Sequence, residues 1–404
     1  MHRVAITGLG CVSALGHDVA STWSGLSSGK SGIGPLTGVE GERLMVKVVA
    51  AVKGFDPVAH LDERVEDFTD RFSQFAIVAA REAAKDAGLT FRDGLGRRTA
   101  CLVGTGMGGM TTLDEGFHRL YSQKTFRAPP LTVPKVMPSA AASQVSMDLG
   151  ITGPCFGLTS ACSSSNHALG EALWMVRSGR VDQAIAGGTE SCLTYGCLKG
   201  WEVLRVIAPD TCRPFSKDRK GMVIGEGAGM VVLENWEKAK ARGAKIYGEM
   251  AGFGFTADAG DLVQPSAQGA GQAIQDCLDD AGLKPEQVGY INAHGTATRM
   301  NDQVETRAIR NIFGAHADKL AVSSSKSMLG HGLGAAGGLE IIPTVMALHT
   351  GILPPTANFN VPDPDCDLDY LPNVGRAQQV EAVISNSFAF GGLNAVIAVK
   401  HVDS

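Results

Sequence analysis

A chain of 404 residues is longer than a single hydrophobic core usually serves, which predicts two fused units. Its 44% hydrophobic and 19% charged residues, with 51 glycines, exclude a disordered polyanion and a coiled coil and fit a compact protein with many tight turns. The formal charge of −5 excludes a global basic surface for nucleic acid or anionic lipid, no apolar run is long enough to cross a bilayer, and nine cysteines without a C-x-x-C pair fit neither a disulfide scaffold nor a zinc ribbon.

In chain order, Met1 to Gly8 reads as a strand entering a glycine turn rather than a signal peptide, so a cytoplasmic protein is expected. Gly8-Leu9-Gly10 lacks the third glycine and the helix start of a dinucleotide site. Gly29-Lys30-Ser31 follows Gly25 too closely to end a phosphate loop, and reads as a turn. Residues 79–89 (AAREAAKDAGL) and 273–283 (AIQDCLDDAGL) both close a helical pattern on Asp-Ala-Gly-Leu, then pass through a polar loop into a short apolar run. Phe72, Phe75, Ala76, Ala79, Ala80 and Ala83 make one apolar face of the first helix, and Gly88 and Gly282 stand where a left-handed cap belongs. A second echo, strand then small-residue corner then helix, runs over 156–179 and again over 320–351. Duplicated α/β halves are therefore expected, 1–248 and 249–404, each with a parallel sheet, joined near the charged helix end at 235–243. The proline-rich 353–372 segment reads as a loop of turns before a last strand at 382–387.

Cys162, in Thr159-Ser160-Ala161-Cys162-Ser163-Ser164, lies between an apolar strand and a helix whose inward face is Leu169, Ala172, Leu173 and Val176. A helix N-terminus favours thiolate, which makes Cys162 a candidate nucleophile, whereas most of the other eight cysteines read as buried small hydrophobes. His167, farther into the same helix, reads as a packing or hydrogen-bonding residue rather than a base. His294 in Asn292-Ala293-His294-Gly295-Thr296-Ala297-Thr298 and His331 in Met328-Leu329-Gly330-His331-Gly332 sit on glycine corners that let ligand atoms approach closely, and Lys326 precedes His331 by five residues. One cysteine and two histidines at the carboxyl ends of strands point to covalent acyl chemistry.

Together with Arg213-Pro214-Phe215, Gly225-Glu226-Gly227-Ala228-Gly229, Ser325-Lys326-Ser327-Met328-Leu329-Gly330-His331 and Asn386-Ser387-Phe388-Ala389-Phe390-Gly391-Gly392, these segments resemble, in order and nearly end to end, the signatures of β-ketoacyl-acyl carrier protein synthases. The chain is most similar to the elongating type II members, and Pro138-Ser139-Ala140-Ala141-Ala142 and residues 208–215 are similar to a subgroup that includes rhizobial nodulation ketosynthases. The resemblance implies a thiolase-like fold of two α/β halves in alternating helix and sheet layers, and a homodimer. It implies that Cys162 accepts the acyl group, that His294 and His331 act on a malonyl thioester, and that Lys326 and Glu340 support the second histidine. The Phe390 amide would join that of Cys162 as oxyanion hole, with Phe388 and Phe390 gating the acyl pocket. Met107 and Trp201 would line that pocket, and Thr296 and Thr298 would contact substrate. The partner is an acyl carrier protein, which brings its own phosphopantetheine; no metal or other cofactor is implied.

Four departures from the family pattern matter. Ala389 replaces a glycine in the gate, Leu393 a threonine, and Val263 a threonine near the pantetheine arm. Glu66 and Asp67 stand where many members are basic, so carrier docking is expected to use Arg64, Arg71, Arg127 and Arg205. The expected reaction is a decarboxylative Claisen condensation that lengthens an acyl chain by two carbons, with a specialised nodulation-type or polyketide chain as the alternative. A Cys-His thioester hydrolase would need one histidine with an orienting Asn or Asp. A thiolase would need a second reactive cysteine, and Cys277 and Cys366 lie on no glycine corner. A non-catalytic chain-length partner would usually lack Cys162.

Overall fold

The computed structural model describes residues 1–39, 43–92 and 94–402. The first half runs β1 (Val4–Val12), α1 (Arg71–Asp86), β2 (Thr99–Gly104), α2 (Ala140–Leu149), β3 (Cys155–Leu158), α3 (Ser164–Arg177), β4 (Gln183–Glu190) and β5 (Gly227–Asn235). The second repeats the pattern: β6 (Gly248–Ala257), α4 (Ala267–Ala281), β7 (Val288–Asn292), α5 (Arg299–Phe313), β8 (Ala321–Ser323), α6 (Ala336–Thr350), β9 (Ala382–Ala389) and β10 (Leu393–Lys400). The strand order is β3-β2-β4-β5-β1 in one and β8-β7-β9-β10-β6 in the other, the same arrangement in the same chain sequence.

The repeat read from the two Asp-Ala-Gly-Leu segments is thus a repeat of structure. Phe72, Phe75, Ala76, Ala79, Ala80 and Ala83 are fully buried, and Gly88 and Gly282 carry the expected positive φ at the ends of α1 and α4. The expected all-parallel sheet needs correction. β2 is parallel to β3 and β4, and β7 to β8 and β9, but β5 and β10 run antiparallel to both neighbours. The strand over 382–387 is also not the last. It extends to Ala389, turns through Gly391 and Gly392, both with positive φ, and returns as β10. Phe388-Ala389-Phe390 had masked that hairpin because its turn glycines follow an aromatic run.

Adjacent side chains on a strand face opposite layers. Leu102 of β2 and Val383 of β9 join a core with Leu169, Leu173 and Val176 of α3 and Leu339, Ile342 and Val345 of α6. Cys101 and Val103 face α1 and α2 instead, and Ala382 and Ile384 face α4 and α5. Both sheet faces are covered, and α3 and α6 form the central layer between the halves. The halves also meet edge to edge, where β1 pairs with β6 through Ala5 with Glu249 and Ile6 with Gly248. Gly8 and Gly10 serve packing, because a Cβ there would lie 2.1 Å from Ala83 O and 1.9 Å from Ala79 O of α1. Among the described residues no helix is long and apolar enough to cross a membrane.

Candidate active site

Cys162 sits on the turn from β3 into α3. Ala161 before it adopts φ 51°, rare for a residue with a Cβ, and the turn is held by Ser164 Oγ donating to Ala161 O at 2.6 Å and accepting from Ser160 N–H at 2.9 Å. Four residues into the helix, His167 shares its Nδ1 with Ser160 Oγ at 2.8 Å and packs edge-on to Phe253 and Phe255, the packing role expected of it. The Phe390 backbone amide acts on the Cys162 thiol, favouring its ionised form.

His294 follows β7, where its own N–H and that of Gly295 each donate to Glu305 of α5 at 2.8 Å. Asn386 Nδ2 donates to the same carboxylate at 3.1 Å, tying the histidine corner to β9. His331 is clamped by its N–H to Val223 O at 2.6 Å and by Gly225 N–H to His331 O at 2.9 Å, which explains the glycine-rich segment ahead of β5. The two imidazoles lie edge to face, 5.4 Å between centroids, with Phe388 6.1 Å from His294.

The histidine protons can be placed from these contacts. His331 Nδ1 accepts from Leu333 N–H at 3.1 Å, and His294 Nδ1 faces the Lys326 ammonium at 3.4 Å. Each neutral ring therefore carries its hydrogen on Nε2. Burial, reinforced by the Lys326 charge, holds both rings well below the usual histidine range, so they stay neutral. Lys326 is buried in an ion pair with Glu340, whose carboxyl burial pushes up to about 7 against the pull of that lysine. The pair supports His294 by contact, the first histidine rather than the second as the resemblance implied. The thiolate expectation also changes. Burial pushes the Cys162 thiol up to about 12, although Lys326 and the Phe390 amide pull it down.

Cys162, His294 and His331 line one cavity of about 360 Å³. Phe388, Phe390, Trp201, Thr296, Thr298, Val263 and Arg205 line it too, and Trp201 stacks on Phe390 at 6.0 Å. Thr296 and Thr298 share a hydroxyl hydrogen bond of 2.8 Å. Arg219, also in the wall, is consumed by Asp302 and Asp363. Ala389 closes β9 without a positive φ, so the substitution costs no backbone strain; the positions that call for glycine are Gly391 and Gly392. Leu393 is its cross-strand partner.

Four expected residues lie elsewhere or are occupied. Met107 is half-exposed outside the cavity, its sulfur 3.4 Å from Cys197 Sγ on the helix that carries Trp201. Arg127 is exposed on a loop away from the cavity, as is Arg64 on a short helix. Arg71 is not a docking cation, because it makes two hydrogen bonds to the buried Glu226 carboxylate. Lys220 and Arg299 were missed. Both are exposed at the cavity with Arg205; none of the three is ion-paired within 4 Å among the described residues, and Lys220 acts on Asp210 at longer range.

Residues 1–239 match the Beta-ketoacyl synthase, N-terminal domain, and residues 247–360 the corresponding C-terminal domain. The chain belongs to the β-ketoacyl synthase family. It is 49% identical to Nodulation protein E of Rhizobium sp. (strain N33) over 400 residues, 99% of each chain. It is 41% identical to 3-oxoacyl-[acyl-carrier-protein] synthase 2 of Staphylococcus aureus (strain N315) over 409 residues, 100% of this chain and 99% of the relative. Among solved structures it is similar to AntDE:AntF, a type II PKS acyl-carrier protein in complex with its ketosynthase, with TM-score 0.91 and 31% identity over 99% of this chain and 100% of that one.

Within this ketosynthase fold two carboxylates escaped the sequence reading. Glu305 left one available signal, a carboxylate at a position that the helical period of α5 assigns to the buried face with Ala308 and Ile309. Glu190 left none, since it follows a glycine pair at a strand end. Among the described residues no cluster of three or more His, Cys, Asp or Glu is arranged to hold a metal ion.

Proposed function

We propose that the protein joins an acyl thioester to malonyl-carrier with loss of carbon dioxide, lengthening the acyl chain by two carbons. The observation that carries this is the convergence of Cys162 with two neutral, Nε2-protonated histidines on one cavity. In the first half-reaction the Cys162 sulfur adds to the acyl carbonyl, and the Cys162 and Phe390 amides hold the oxyanion. Collapse expels the carrier thiol, which takes the cysteine proton. In the second, His294 and His331 donate Nε2–H to the malonyl thioester oxygen, so the enolate formed as carbon dioxide leaves is stabilised in place. Its carbon attacks the acyl-cysteine, and Cys162 departs as thiolate and takes a proton from solvent. The reaction needs no resident cofactor; phosphopantetheine arrives on the carrier.

A Cys-His hydrolase is disfavoured because it needs an imidazole with a free basic nitrogen. Here both Nδ1 atoms already face N–H donors. A specialised acyl chain is favoured over a housekeeping one by the higher identity to Nodulation protein E. Arg205, Lys220 and Arg299 form a cationic rim suited to an acidic carrier. A second copy of the chain is the expected partner at β3, which ends the sheet and has exposed Phe156, with Val133 and Met137 close by along the chain. All nine cysteines are unpaired, which suits the reducing cytoplasm.

The test is purified protein with malonyl-carrier and a ladder of acyl primers, read by mass spectrometry, with its oligomeric mass taken by light scattering. Products two carbons longer, an adduct on Cys162 and a two-copy mass are expected. Free fatty acid without malonate consumption would replace this reading with hydrolysis, and a one-copy mass would remove the dimer.

A further inference from the structure

Glu190 ends β4, is fully buried, and has no part in the chemistry above. Its Oε1 accepts from Thr105 Oγ1 at 3.0 Å and from Met107 N–H at 3.3 Å. Its Oε2 accepts from Gly106 N–H at 2.7 Å and Gly334 N–H at 2.9 Å. The three backbone N–H groups can only donate and the Thr105 hydroxyl donates here, so the set favours the ionised carboxylate against the burial that raises its pKa. The backbones it joins nearly touch, since a Cβ on Gly334 would lie 1.9 Å from Gly106 N and 2.7 Å from Glu190 Oε2. On the other side of Gly334, its carbonyl accepts from Ser165 Oγ at 2.5 Å, three residues past Cys162. Leu333, whose N–H fixes His331 Nδ1, is the residue before it.

We infer that Glu190 is a positioning residue that fastens the Thr105–Met107 loop to the His331 corner, so that loop, nucleophile helix and malonyl-directed imidazole hold one register. This rests on the condensing reaction proposed above and adds to it a residue that touches no substrate. Glu190 acts through Gly334 and Leu333 on one side and through Met107 on the other. Met107 in turn abuts the helix Tyr195–Val203, whose Trp201 lines the cavity.

Glutamine is the informative replacement. It offers one acceptor oxygen and one NH2 group, so in either orientation part of the donor set faces N–H. Glu190→Gln is assayed as full-length protein beside wild type and His331→Ala, for malonyl-carrier decarboxylation and for the ratio of long to short primers elongated. A sub-ångström shift of a catalytic group costs rate rather than binding, so kcat is expected to fall about tenfold or more while KM for malonyl-carrier stays within a factor of about two. The primer ratio should shift as well. Thr105→Val removes one donor on the loop side only and should move the primer ratio more than it moves decarboxylation. A folded Glu190→Gln with wild-type kcat and primer ratio overturns the inference, and so does one that raises KM alone. Should Glu190→Gln fail to fold, a wild-type primer ratio in Thr105→Val overturns it. Undiminished decarboxylation in His331→Ala would instead remove His331 from the mechanism, and this inference with it.

Discussion

In the proposed condensation His294 and His331 would serve an enolate as neutral donors, and their neutrality has two physical sources. Burial comes first; the Lys326 charge adds to it at both rings. A histidine held well below its ordinary value of about 6.5 does not take up a proton as the pH falls through that value. The two rings are therefore expected to add no inflection of their own near pH 6.5 to wild-type malonyl decarboxylation, where Glu340, pushed up to about 7, is a group at the site that titrates. Lys326→Ala removes a charge that disfavours the imidazolium, so the His294 pKa rises toward the ordinary value and an acid-side loss of rate should appear. A pH–rate profile of both proteins checks this; identical profiles would contradict it. The same lysine opposes burial at Cys162, so in the proposed mechanism Lys326 would act on both half-reactions.

The elements that carry these residues meet at glycines. Gly188 of β4 lies against α3 so closely that a Cβ would stand 1.9 Å from Ser165 Oγ and 2.8 Å from Gly104 O. Gly229 of β5 meets α6 in the same way, its Cβ falling 1.9 Å from Gly338 O. Gly188→Ala must therefore displace the Ser165 side chain from its bond to Gly334 O or push α3, with the Cys162 turn, away from the sheet. A destabilisation of about 1–3 kcal/mol is expected, the usual range for overpacking a well-filled interior. Acylation of Cys162 should fall further than the lost folded fraction explains. Gly282→Ala is the control, because a side chain there meets nothing within 4 Å and only the positive φ is strained. Urea unfolding and a Cys162 acylation assay on both variants separate the two effects; equal acylation losses would show that the β4–α3 contact does not position the cysteine.

For the whole molecule, the net charge of −5 conceals a local cationic rim at Arg205, Lys220 and Arg299. Charges around a cavity mouth steer an oppositely charged partner chiefly through the encounter rate and its salt dependence. Reversing all three to Glu should raise the KM for the carrier at low salt and flatten its dependence on ionic strength, with little change in decarboxylation of a small malonyl thioester. Unchanged carrier kinetics would move docking away from the cavity, toward Arg127 or Arg64.

Much of this architecture was legible in one dimension. The duplication was visible in two Asp-Ala-Gly-Leu helix ends because helical period and glycine caps are local properties. Cys162, His294 and His331 were visible because each sits in a short run of small residues that leaves room for substrate, a requirement written within a few positions. Strand direction in β5 and β10 was not, since either direction buries the same apolar alternation. Nor could neighbouring residues tell which histidine Lys326 would meet, that Arg71 would be consumed by Glu226, or that Glu190 and Glu305 would hold the corners of the site. Those contacts join positions from about ten to more than a hundred residues apart, and only strand pairing within each sheet and the packing of helices on its faces bring them within hydrogen-bonding distance.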